Sequence, residues 1–136
     1  MKMSTKQVIV IEPSHFMRKL LETHLQIEGH SGVTFATYAE ALRTLPQLQE
    51  RAYDLAFVAV HAHEPDSQRL LYALRLRYPS MVMAVMLTKQ ESAQRAIQKA
   101  VQATNAVTFI LPFLIQDALA LCNSERFSQA QGEPTT

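Results

Sequence analysis

Short apolar runs alternate along the chain with stretches whose apolar residues recur every three or four positions. Val8-Ile9-Val10-Ile11 is a continuous β-branched run, the pattern of a strand buried on both faces. Glu12 and Pro13 end it. Ser14 is placed to cap a helix, and Met17, Leu20, Leu21, His24 and Ile27 follow at helical spacing until Gly29 closes it. A second strand is expected over 33–36. Thr37 then caps a second helix, with Glu40 three positions on as a capping box. Ala41, Leu42, Leu45 and Leu48 give that helix its apolar face, and Pro46 should kink or shorten it. The third strand is expected over 55–60, followed by a polar loop over 61–67. Leu70, Leu71, Leu74 and Tyr78 mark a third helix, stopped by Pro79, and 81–87 is a fourth strand. Ala93, Ile97, Ala100, Val101 and Thr104 mark a fourth helix whose other face, Gln94, Arg95, Gln98, Lys99 and Gln102, reads as solvated. A fifth strand is expected over 107–111, and Leu114, Ala118, Leu121 and Cys122 mark a last helix.

Strand followed by helix, five times over, implies an α/β fold: a parallel five-stranded sheet covered by five helices on its two faces. Crossovers are right-handed, and a doubly wound sheet of this size takes the flavodoxin-like order 2-1-3-4-5. The expected domain is 1–123. Residues 124–136 carry no apolar period and read as a disordered tail or the start of a linker.

Composition narrows the function classes. The chain has 136 residues, 48% apolar and 18% charged, with a net charge of +1. That is an ordinary globular balance, and it gives neither nucleic acid nor an anionic membrane an electrostatic footprint. Cys122 is the only cysteine, so no internal disulfide can form. The first residues lead into too short an apolar run for a signal peptide, and the stretch 106–122 is broken by Pro112, Gln116 and Asp117. A soluble cytoplasmic protein is expected. With only Gly29, Gly32 and Gly132 there is no glycine-rich phosphate loop.

In a sheet of this order, sites form beyond the carboxyl ends of the strands, where strand order reverses. The residues expected there are Glu12, Pro13, Ser14 and His15, then Ala59 to His63, then Thr88, then Leu111 and Pro112. These positions carry a resemblance. Val8-Ile9-Val10-Ile11-Glu12-Pro13-Ser14-His15-Phe16-Met17-Arg18 resembles the opening of a bacterial response-regulator receiver domain, in which a strand ends in two acidic residues. Ala52-Tyr53-Asp54-Leu55-Ala56-Phe57-Val58-Ala59 is similar to the family's third strand, which ends at the phospho-accepting aspartate. Thr88 falls where the family keeps Thr or Ser, and Leu111-Pro112-Phe113 resembles its Lys-Pro-Phe. The resemblance covers about residues 6–123, and its weight lies in the order of landmarks.

The departures bear on function. By the resemblance, a receiver binds magnesium through its acidic pair and its acceptor aspartate. Here the pair is Glu12-Pro13, which keeps one carboxylate, longer by a methylene; the acceptor position is Ala59 and the lysine position is Leu111, and Thr88 is the clear survivor. A nucleophilic carboxylate, a metal and a cation act together in phosphoryl transfer, so no route to an aspartyl phosphate is expected. Asp54 lies at the wrong end of the third strand, and Asp66 lies in the third helix. The family's switch aromatic on the fifth strand falls on Thr108, with Phe109 beside it.

The expectation is a degenerate receiver without catalytic residues or cofactor: a phosphorylation-independent module for protein interaction or self-association. The resemblance places its partner face on the fourth helix, fifth strand and fifth helix, around Arg95, Gln98, Lys99, Gln102, Thr108 and Phe113. In a longer chain an output domain would follow the tail. A second hypothesis is a metal or small-ligand sensor using Glu12, His15, His61 and His63, since a His-x-His pair suits zinc, nickel or copper. A working phospho-relay receiver is the third, and Ala59 speaks against it. His24 and Cys122 are expected to serve packing, His30 to follow a helix end without a role of its own, and Arg69, Arg75 and Arg77 to form a solvated face.

Overall fold

Apolar residues on both sides of a strand need cover on both sides, and the chain supplies it with helices. In a computed structural model that describes residues 5–50, 52–112 and 115–123, the strands are β1 (Gln7–Ile11), β2 (Ser31–Phe35), β3 (Leu55–Ala59), β4 (Val82–Leu87) and β5 (Val107–Ile110). They form one parallel sheet in the order β2-β1-β3-β4-β5, as expected. Every residue of β3 and β4 is buried. The helices are α1 (His15–Ile27), α2 (Tyr38–Thr44), α3 (Pro65–Arg77), α4 (Lys89–Ser92), α5 (Arg95–Ala103) and α6 (Ile115–Leu119). Leu21 and Leu25 of α1 and Ala118 and Leu119 of α6 pack with Val8, Val10 and Phe57 on one face. Tyr38 and Ala41 of α2, Leu70, Leu71 and Leu74 of α3, and Ile97 and Ala100 of α5 pack with Ile9, Val58 and Met83 on the other.

Local chemistry sets the boundaries. Ser14 Oγ accepts from Met17 N at 3.2 Å and starts α1; Gly29, at φ +87°, ends it. Thr37 caps α2 by accepting from Glu40 N. Pro46 sits in a 3-10 turn, Leu45–Gln47, that follows α2 and cuts it short. β2 begins two residues earlier than its apolar run, because it pairs with β1 through Gly32. A Cβ there would lie 1.7 Å from the Val8 carbonyl oxygen, so only glycine lets the strands close.

Several expectations need correction. Six α-helices, not five, lie among the described residues. Thr88 forms a full capping box with Glu91 and starts α4 ahead of the apolar period; the chain is extended at Gln94, which opens α5. Ile27 is 74% exposed, since Leu21 and Leu25 take the buried side of α1. Arg75 and Arg77 are not a solvated face. Arg75 bonds the carbonyls of Tyr78, Pro79, Met81 and Thr104, and Arg77 bonds that of Leu48. Only Arg69 is exposed, paired with Asp66 at 2.8 Å. Phe113, Leu114 and the tail over 124–136 lie outside the described residues. No helix among those described is long and apolar enough to cross a membrane.

Candidate functional site

Register brings the residues singled out in the sequence to one edge. Ile11 lies opposite Val58, so Glu12 and Ala59 come next to each other at the ends of β1 and β3. Ala59 lies opposite Met86 and Leu87 opposite Ile110, which carries Thr88 and Leu111 to the same edge. The Leu111 amide donates to the Leu87 carbonyl at 2.7 Å, and the Leu111–Pro112 bond is cis.

Glu12 is the one acidic side chain left in the first loop, and it is 6% exposed. Its Oε2 accepts from Ser14 N at 2.9 Å. Burial pushes its carboxyl above the ordinary value, outweighing the Ser14 bond and the His61 and Arg18 charges. Arg18 folds back on the same loop, donating to the carbonyls of Glu12 at 2.8 Å and Pro13 at 3.4 Å. Its other nitrogen stands 3.3 Å from His15 Nδ1.

At the end of β3 the buried Ala59 offers a methyl group. Its carbonyl oxygen accepts a 2.5 Å bond from Tyr38 Oη. Burial and the nearby carboxylates of Glu12, Glu64 and Glu91 raise the Tyr38 pKa, so the phenol stays a donor. Its ring meets His61 edge-on at 6.4 Å. The Thr88 hydroxyl is engaged as well: it accepts from Glu91 N and donates to Glu91 Oε1, each at 3.1 Å. Glu91 Oε2 in turn takes His61 Nδ1 at 3.2 Å and Ala62 N at 3.3 Å. Over these residues lies an open cleft of about 480 Å³, lined among others by Pro13, Tyr38, His61, His63, Glu64 and Glu91.

The metal expectations can be set against this geometry. Magnesium needs several oxygen ligands in octahedral array. Here one buried carboxylate faces a backbone amide, and the third strand ends in a methyl group whose own carbonyl is taken. The residues do not fit magnesium. The set Glu12, His15, His61 and His63 is not gathered either: His61 pairs with Glu91, His15 lies by Arg18, and His63 is exposed. No group of three or more His, Cys, Asp or Glu side chains able to hold a metal occurs among the described residues.

On the expected partner face, Arg95, Gln98, Lys99 and Gln102 of α5 are exposed, and so is Thr108 on the edge strand β5. Phe109 turns inward and packs against the α1–α6 side. Sequence reasoning missed Tyr38 and Glu91. Glu91 had a signal, the Thr88-x-x-Glu91 spacing of a capping box. Tyr38 had none, because its partner is 21 residues away.

Comparison with known proteins bears out the fold. No family model matches the chain. A curated relative, the response regulator protein FleR of Pseudomonas aeruginosa, is 27% identical over 129 residues, covering 93% of this chain; the chain spans 26% of that protein. A CheY-like receiver domain from Methanospirillum hungatei superposes with a TM-score of 0.77 at 17% identity, covering 96% of this chain and 100% of that one. A response regulator from Burkholderia pseudomallei, solved with a phosphorylated aspartic acid, calcium and citrate, gives 0.70 at 19% identity, over 93% and 71%. The fold is thus the CheY-like, flavodoxin-like fold, and over most of its length the chain is similar to part of a response regulator.

Proposed function

We propose that this receiver-type domain works in signal transduction without being phosphorylated, as a module for protein interaction or self-association. The observation that carries the reading is at Ala59. The end of β3 offers no carboxylate, and the Tyr38 hydroxyl closes on the backbone there. Supporting it, the Leu111 side chain brings no cation to the edge, and the Thr88 hydroxyl is held within its own capping box. A nucleophile, a metal and a cation work as a set in phosphoryl transfer; Ala59 brings no nucleophile to the end of β3, Leu111 brings no cation, and no catalytic role is assigned to any residue. The partner face is the exposed surface of α5 and β5, with Arg95, Gln98, Lys99, Gln102 and Thr108.

The test is intact-mass spectrometry after incubation with acetyl phosphate and magnesium, together with light scattering across a concentration range. No added phosphoryl group is expected, and any association is expected to be the same with and without the phosphodonor. A gain of one phosphoryl group overturns the proposal.

A further inference from the structure

Four donors from two separate loops converge on one carboxylate. Glu91 Oε1 accepts from Thr88 N at 3.0 Å and Thr88 Oγ1 at 3.1 Å. Oε2 takes His61 Nδ1 at 3.2 Å and Ala62 N at 3.3 Å. The first oxygen suffices for the local cap of α4. The second reaches across the edge to a loop 29 and 30 residues earlier in the chain.

Both ends of this connection are anchored further on. On one side Ser67 of α3, fully buried, accepts from His61 N at 3.1 Å, while its hydroxyl lies 2.7 Å from the Glu64 carbonyl and 3.2 Å from that of His61. The loop is therefore fixed to the first turn of α3. On the other side the Gln98 side chain of α5 donates to the Ser92 carbonyl at 3.0 Å, which joins α5 to the end of α4. Burial alone would push the Glu91 carboxyl up, yet the bonds from Thr88, His61 and Ala62 hold it below the ordinary value, so the charge persists.

We propose that Glu91 is a built-in latch, fixing the β3–α3 loop against the start of α4 and, through the α4–α5 link, setting the position of the α5 face from within the chain. The proposal rests on the reading above, because it names what holds that face in place when no phosphoryl group is taken up. Glu91 is a positioning residue here: it acts through two loops and the helix that follows.

The test is residue-resolved amide hydrogen exchange and chemical shift by NMR on the whole chain, comparing the wild type with Glu91→Gln and His61→Ala. His61→Ala removes a cross-loop arm, together with the edge-on contact to Tyr38, and leaves the cap of α4 intact. In Glu91→Gln, exchange at the Ala62 amide is expected to quicken about tenfold. In His61→Ala, amide resonances from Lys89 to Gln98 are expected to move along with those of the loop. Absence of either change overturns the latch. Should Glu91→Gln not fold, His61→Ala decides alone: shifts confined to the residues beside position 61 overturn it, and shifts reaching α5 support it. Phosphoryl uptake by the wild-type chain is a separate readout, so the latch and the phosphorylation-independent reading fail separately.

Discussion

Tyr38, the first residue of α2, donates a 2.5 Å hydrogen bond from its hydroxyl to the carbonyl oxygen of Ala59, the last residue of β3, and both residues are buried. The bond joins a helix on one face of the sheet to the strand end where a receiver carries its acceptor. Tyr38→Phe keeps the ring and removes the donor. The expected cost is about 1–2 kcal/mol, read as a lower urea midpoint with an unchanged slope. An unchanged midpoint would mean that the carbonyl finds another donor at no cost.

Glu12 makes a prediction with a definite sign. Burial raises its folded-state pKa above the ordinary 4.5, so ionising it costs more in the folded chain than in the unfolded one. Its contribution to stability is fully present below the unfolded value and is lost as pH rises through the folded value. Glu12→Gln keeps an oxygen for the Ser14 amide and removes the charge. It is expected to be more stable than the wild type at neutral pH, with the gap closing as pH falls toward 4.5. Thermal melts across that range check this, and a gap that widens in acid contradicts it.

His30 acts with the opposite sign. It is 3% exposed, its Nδ1 accepts from Lys6 N at 3.0 Å, and its buried Nε2 has no hydrogen-bond partner among the described residues. Burial lowers its pKa below 6.5. The unfolded chain takes up that proton first, so the contribution is present above 6.5 and is lost as pH falls below it. In His30→Asn an oxygen can stand in for Nδ1 without titrating. Its unfolding free energy is expected to fall less than that of the wild type between about pH 7.5 and about pH 5.5. Equal losses in the two proteins would remove His30 as the cause.

Arg75 joins three elements at the opposite end of the sheet. Its guanidinium reaches the carbonyls of Tyr78, Pro79, Met81 and Thr104 at 2.7–3.2 Å, which ties the end of α3 and the approach to β4 to the end of α5. Arg75→Met keeps much of the stem and drops all four bonds. A loss of about 2–4 kcal/mol is expected by chemical denaturation. Arg75→Lys should recover only part of it, because a single ammonium cannot copy the planar fork. Full recovery by lysine would show that charge rather than geometry matters at this corner.

The fold was largely legible because the buried strands write themselves as unbroken apolar runs. Val8 to Ile11 and Leu55 to Ala59 need no context to be recognised; the alternation of strands and helices gave a parallel sheet, and its order is the one common to doubly wound sheets of this size. Boundaries failed where backbone geometry overrides side-chain pattern. β2 starts early because Gly32 permits a close approach to Val8, and α4 starts at a capping box with no buried residue in it. At the site, the positions of Glu12, Ala59, Thr88 and Leu111 could be read from the order of landmarks. What occupies their polar groups could not, since Tyr38 reaches Ala59 and Glu91 reaches His61 only through tertiary packing. Arg75 misled for the same reason: a charged residue on a helix reads as solvated until the carbonyls it covers are placed beside it.

The most direct test of a receiver that works without phosphate is a two-dimensional amide spectrum recorded before and after adding magnesium with beryllofluoride, which mimics an aspartyl phosphate. The prediction is that the amides of Glu12, Ala59 and Thr88 stay where they are. Shifts at those residues that spread into α5 and β5 would contradict it, and would make this domain a phosphate-responsive receiver with an unusual site.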